Sequence, residues 1–152
     1  MDPHPDIGMA TQLALGSGIM LLTIVVLGCG FAALEYGFGR ARPWLLRPPH
    51  LPRLMLATGL FALWVLAEIS AAVWIWALAY RLLGLFEALE PAVYFSLVCF
   101  TTLGFGEILL PEEWRLLSGL EAANGLMIFG LVTAAGVEAL RQLRATQWQS
   151  LK

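Results

Sequence analysis

The stretch "CFTTLGFGE", Cys99 to Glu107, places two glycines, Gly104 and Gly106, on either side of Phe105 in a strongly apolar chain. Glycine adopts left-handed backbone angles that a Cβ resists. Two such residues separated by one other suit a strand whose backbone alternates in handedness. The apolar piece that leads into them, Pro91 to Leu103, is too short to span a bilayer, and its length suits a re-entrant segment. Non-helical backbone at membrane depth is tolerated only where protein buries it or water lines it.

The rest of the chain supplies the membrane. It has 152 residues, 59% hydrophobic and 13% charged, well below the roughly 25% charge of a soluble domain. Three stretches qualify as spanning helices of about 20 apolar residues. Gly16 to Leu34 carries no charge, Leu54 to Tyr80 carries Glu68, and Leu116 to Leu140 carries Glu121 and Glu138. The acidic N-terminus lacks the basic start of a cleaved signal peptide, so the first stretch is read as a retained helix. Cys29 and Cys99 lie inside apolar segments and read as buried thiols rather than a disulfide framework.

Seven of the nine basic residues fall at two places: Arg40, Arg42, Arg47 and Arg53 between the first two spans, and Arg141, Arg144 and Lys152 after the third. Lys and Arg accumulate on cytoplasmic loops near helix ends. The expected layout therefore has the N-terminus outside, the C-terminus inside, and the re-entrant segment on the outer face. The proline-rich run from Arg40 to Arg53 reads as a basic elbow on the inner surface, not helical through its length.

Alternating handedness turns successive carbonyls to one side. The carbonyls of Thr102, Leu103, Gly104 and Phe105, with the Thr102 hydroxyl, would then form stacked rings of oxygen able to replace an ion's water shell. One strand cannot surround an ion, so four copies are required. "TTLGFGE" resembles the selectivity filter of potassium channels, commonly TTVGYGD, whose ring of backbone carbonyls coordinates K+. The resemblance extends from about Leu54 to Arg144. "PAVYFSLVCF" is similar to the pore helix, with Tyr94 and Phe95 where an aromatic pair often stands. "FGLVTAA", Phe129 to Ala135, resembles the inner helix of simple bacterial potassium channels, and Gly125 falls at the common hinge glycine. The departures are Leu103 for valine or isoleucine, Phe105 for tyrosine and Glu107 for aspartate.

The resemblance implies a filter of Thr102, Leu103, Gly104, Phe105 and Gly106, supported by Thr101, Glu107 and Glu121. Leu126, Gly130, Thr133 and Val137 recur at helical spacing and form one face. That face lines a cavity, or packs against a neighbouring helix. Bending at Gly125 would open a hydrophobic constriction at Val137 or Leu140. Glu121 is either a brace bonded to the pore helix or a protonated, merely tolerated acid; Glu68 is a second acid at membrane depth. Around the outer mouth, Glu87, Glu90, Glu107, Glu112 and Glu113 outweigh Arg81 and Arg115, leaving −3 per subunit. Such a rim concentrates cations. No helix has the periodic arginines of a voltage sensor, and little chain follows the inner helix, so no ligand-binding domain is expected.

The expected fold is an all-α membrane protein of three transmembrane helices plus a re-entrant pore helix and filter loop, assembled as a tetramer. Residues 1–39 form an outer N-terminus and an extra helix, which is expected to pack peripherally on the second helix. Residues 40–53 are the elbow and 54–144 the pore domain, with outer helix 54–80, pore helix 91–101, filter 102–106 and inner helix 115–140. Residues 145–152 form a short tail. The expected function is a passive potassium-selective channel, not an enzyme, with K+ as permeant ion and no cofactor. Its partners are other copies of itself and membrane lipids, not nucleic acid, and its place is a prokaryotic inner membrane. Two alternatives stay open: a weakly selective cation channel and a non-conducting pore-loop scaffold.

Overall fold

A computed structural model of the chain describes residues 8–45 and 50–149. Four α-helices account for nearly all of it: α1 (Met9–Leu45), α2 (His50–Leu82), α3 (Leu89–Phe100) and α4 (Arg115–Gln149), with a single 3-10 turn at Glu112–Trp114 leading into α4. Three stretches are long and apolar enough to cross a membrane: Met9–Ala41 in α1, Met55–Leu82 in α2, and Glu112–Glu138, which takes in the 3-10 turn and most of α4. A helix satisfies its own backbone hydrogen bonds, which is the requirement lipid imposes. At 12 residues, α3 reaches only about 18 Å and cannot span.

Every long helix outruns its apolar stretch. The first extends through Pro43 to Leu45 and the second begins at His50, so the expected elbow at 40–53 contracts toward residues 46–49, which lie outside the described residues. Proline removes one backbone donor from a helix interior. Pro52, in the first turn of α2, removes a donor that has no partner there anyway. The inner helix continues past Leu140 to Gln149; of the expected tail at 145–152, residues 150–152 lie outside the described residues.

The first helix packs on the second, and beyond that expectation it packs equally against α4. It runs parallel to α4. The Gln12 side chain accepts a hydrogen bond from the Leu116 N–H at 3.3 Å, filling one of the donors left open at a helix start. Gly16 meets Leu117 and Leu120, and a Cβ there would stand 2.4 Å from Leu120 Cδ1. Deeper, the Asn124 amide donates to the Thr23 hydroxyl at 2.8 Å, and that hydroxyl donates to the Met20 carbonyl at 2.7 Å. Against α2, α1 runs antiparallel: Gly30 gives room to the Glu68 carboxyl, and Phe31 lies 4.9 Å from Trp64 between ring centroids. Small residues open these approaches, and polar pairs fix them.

The direction of α3 follows from its contacts. Ser96 bonds to Glu121 of α4, while Phe100, one turn on, packs over Gly125 and Phe129. Both helices advance together, so α3 runs alongside α4 in the same sense. Its last residue sits about ten residues, or about 15 Å, beyond the start of α4. Trp76 and Tyr80 of α2 close the other side, with Tyr80 meeting Phe95 edge-on at 5.3 Å. Trp76, Tyr80, Phe100, Leu117 and Ile128 are fully buried in this layer.

The buried Thr23–Asn124 pair generates a test. Thr23→Val keeps the shape but strands the Asn124 amide. The expected result is a loss of about 1–2 kcal/mol in unfolding free energy of the detergent-solubilised protein, with Thr23→Ser close to wild type. Equal stability of the Val and Ser variants would deny the pair any structural weight.

Candidate functional site

The backbone after α3 turns sharply by a defined set of bonds. The Thr102 N–H donates to the Cys99 carbonyl at 2.9 Å and the Leu103 N–H to the Val98 carbonyl at 3.0 Å. This is the bonding of a Schellman helix end, with the residue after the cap in the left-handed region. That residue is Thr102, at φ 59°. The Gly104 N–H reaches the same Val98 carbonyl at 3.3 Å. A left-handed conformation costs a non-glycine residue about 1–2 kcal/mol, more than usual for a β-branched one. Two backbone bonds of ordinary length hold the turn against that cost.

Handedness then alternates. Thr102, Gly104 and Gly106 have φ of 59°, 57° and 80°, while Leu103 and Phe105 are not in the positive-φ region. The glycine expectation is therefore extended by a third member that sequence reasoning did not flag in this role. Among the described residues, no hydrogen bond is accepted by the carbonyls of Thr102, Leu103, Gly104 or Phe105. The whole run from Thr101 to Glu107 is exposed on this chain, with Leu103 57% and Phe105 63% accessible. No group of three or more His, Cys, Asp and Glu side chains able to hold a metal ion occurs among the described residues.

Two side chains fasten the loop's ends. The Thr101 hydroxyl donates to the Leu97 carbonyl at 2.7 Å, within α3. The Tyr94 hydroxyl donates to the Glu107 carboxylate, joining α3 to the far end of the loop. That accepting carboxylate raises the Tyr94 phenol above its ordinary value. The raised phenol keeps its proton through neutral and mildly alkaline pH, and the bond is lost only as pH climbs past the raised value.

Behind the loop, Glu121 is fully buried and bonded on both carboxyl oxygens. Tyr80 of α2 donates to Oε2 at 2.6 Å, and Ser96 of α3 contacts Oε1. Ser96 also lies 2.9 Å from the Val73 carbonyl of α2. Nothing in the local pattern of the sequence singled out Ser96 or Tyr80, which lie 25 and 41 positions from Glu121. One turn on, a Cβ at Gly125 would stand 1.9 Å from the Phe100 carbonyl oxygen. Gly125 thus lets the end of α3 rest on α4, a packing role beside the hinge expected from the sequence.

Leu126, Gly130, Thr133 and Val137 form one exposed face of α4, with Leu126 62% and Val137 59% accessible. Ile128 and Val132, on another face, are buried in the chain's own core. The Thr133 hydroxyl donates back to the Phe129 carbonyl at 2.7 Å. The predicted stripe therefore lies outside this chain's own buried core.

The close approach at Gly125 separates two roles. Gly125→Ala is expected to destabilise the folded protein by about 1–3 kcal/mol, as overpacking does. Gly130→Ala, with open space around it, is expected to leave stability within about 0.5 kcal/mol. Thermal unfolding in detergent with K+ present reads both, and similar midpoints for the two variants would contradict the packing role.

Against known proteins, residues 58–142 match the model of a family described as "Ion channel", which is more than half of the chain and takes in α2 from Thr58, α3, the loop and most of α4. No curated protein and no solved structure matches.

Proposed function

The chain belongs to this ion-channel family, and on that premise we propose that it is one subunit of a homotetrameric, potassium-selective channel. Ions pass down their gradient through rings of oxygen from Thr102, Leu103, Gly104 and Phe105, with the Thr102 hydroxyl below. The observation that carries the reading is the alternating backbone of residues 102–106, together with four carbonyls that accept no hydrogen bond from the described residues. Carbonyl oxygens at fixed spacing can replace the hydration shell of a permeant cation. α3 then acts as a pore helix within a re-entrant segment, its C-terminal, partially negative end directed at the approach to the filter.

Four copies would also account for the apolar surface. The exposed Leu103 and Phe105 side chains point to a neighbouring subunit, and the exposed face of Leu126, Gly130, Thr133 and Val137 lines a shared cavity. The acids at the loop end of the bundle, Glu87, Glu90, Glu107, Glu112 and Glu113, form the rim. Glu112 is paired with Arg115 at 3.3 Å, a contact worth little on an exposed surface. The loop end faces outward and the end with Arg40, Arg53 and Arg141 faces the cytoplasm, in keeping with the positive-inside rule; the membrane is a prokaryotic inner membrane. K+ is the permeant ion and no cofactor takes part.

A weakly selective cation pore is the second reading. It is favoured by Leu103 and Phe105, whose side chains make no hydrogen bond that would hold the oxygen rings at one diameter.

Purified protein in planar bilayers under opposed K+ and Na+ gradients tests these readings. The expected reversal potential lies near that of K+, and Gly104→Ala is expected to abolish the current because alanine resists the left-handed angle. Reversal near zero supports the weakly selective pore. Absence of current at every pH, voltage and lipid composition supports a scaffold.

A further inference from the structure

We infer that Glu121 works as a neutral carboxylic acid, its proton given to Ser96, and that this proton locks the base of the loop. The inference deepens the reading above, in which Glu121 stands behind the filter.

Two observations independent of each other carry it. The first is a count of hydrogens. Three oxygen–oxygen contacts run in series: Tyr80 hydroxyl to Glu121 Oε2 at 2.6 Å, Glu121 Oε1 to Ser96 Oγ, and Ser96 Oγ to the Val73 carbonyl at 2.9 Å. Tyr80 supplies one hydrogen and Ser96 one, and the Val73 carbonyl has none to give. Three bonds need three hydrogens. With Glu121 ionised, Ser96 would have to serve two acceptors with one hydrogen. With Glu121 protonated, Tyr80 donates to Glu121, Glu121 donates to Ser96, and Ser96 donates to Val73, so every contact is a bond.

The second observation is the missing counter-charge. Glu121 and Ser96 are fully buried, and no basic side chain contacts Glu121 among the described residues. The titratable groups packed around it are Tyr80 from α2 and Cys99 from α3, neither of which carries positive charge. A neighbouring polar side chain of α4, Asn124, is engaged with Thr23 of α1. A buried carboxylate without a cation is far costlier than a hydrogen-bonded neutral acid.

The result is a one-way chain of hydrogen bonds through α2, α4 and α3 and back to α2. It ties Ser96 two residues before Val98, whose carbonyl receives both Leu103 and Gly104. Glu121 is a positioning residue in this account: it touches no ion and holds the floor on which the loop turns. The geometry of the acid matters more than its charge.

Infrared difference spectroscopy of the purified wild-type protein against Glu121→Gln, in K+ buffer at neutral pH, reads the proton directly. The expected difference contains the C=O stretch of a protonated carboxylic acid. Loss of the carboxylate stretches alone would overturn the proposal. If the Gln variant does not assemble, Tyr80→Phe removes the donor to Oε2 and is expected to shift the same acid band, and an unchanged band would count against it. This measurement needs no ion current, so it stands or fails apart from the channel reading.

Flux through proteoliposomes supplies the second readout. Glu121→Gln, an amide that donates to Ser96 and accepts from Tyr80, is expected to retain flux within about twofold. Glu121→Asp, one methylene too short to reach both, is expected to lose about tenfold, near the net worth of one buried bond. A Gln variant as damaged as the Asp variant would overturn the proposal.

Discussion

The carbonyls of residues 102–105 impose the governing constraint. A bilayer gives backbone groups nothing to bond, and each unpaired one at membrane depth costs several kcal/mol. The three long helices meet this requirement internally. The loop does not: its early N–H groups return to Cys99 and Val98, but its oxygens find no donor among the described residues of their own chain. Water, an ion or a further copy must serve them. The surrounding elements can be understood as the means of keeping this otherwise unfavourable stretch in one shape.

That shape is built on the end of α3, and α3 is built on α4. Phe100 rests its carbonyl against the bare backbone of Gly125, while Ser96 and Glu121 fix the preceding turn. Val98, between them, receives two loop N–H groups on one oxygen. A left-handed conformation costs a non-glycine residue at least about 1–2 kcal/mol, and a typical buried hydrogen bond contributes about 1 kcal/mol. The strain at Thr102 is thus of the size that two such bonds offset. The loop depends on these anchors more than on its own sequence preference, because Thr102 has no glycine's freedom to relax.

The spans were legible because hydropathy and length decide them, and α3 was legible because the apolar piece from Pro91 to Leu103, leading into a glycine pair, is too short to cross a membrane. Gly104 and Gly106 declared their handedness by residue type. Thr102 did not, since a threonine in the left-handed region is set by the Schellman bonds around it and carries no mark in the sequence. The helix ends were misplaced for a related reason: an apolar run ends where lipid ends, whereas α1 and α4 continue to Leu45 and Gln149. The first helix was expected on the second; its further contact with α4 rests on Gln12 and Thr23, polar residues that an apolar pattern discounts. Glu121 stood out as a buried acid, yet its partners Ser96 and Tyr80 come from other helices and become neighbours only through the fold.

The same contacts join two events that the sequence presents as separate. Asn124, Gly125 and Glu121 occupy one stretch of α4, and they meet α1, the end of α3, and the Ser96–Tyr80 pair respectively. A bend in α4 at Gly125 would widen the far end near Val137, but Gly125 is also the seat of Phe100. The helix cannot bend there without shifting that carbonyl, and Phe100 is only two residues from the left-handed Thr102. α1 holds the neighbouring Asn124 from the opposite side through Thr23, which resists the same motion. On the proposed reading, the inner constriction and the oxygen rings are therefore mechanically coupled through one turn of α4. On the same reading, the Thr23–Asn124 contact of α1 would stiffen that coupling.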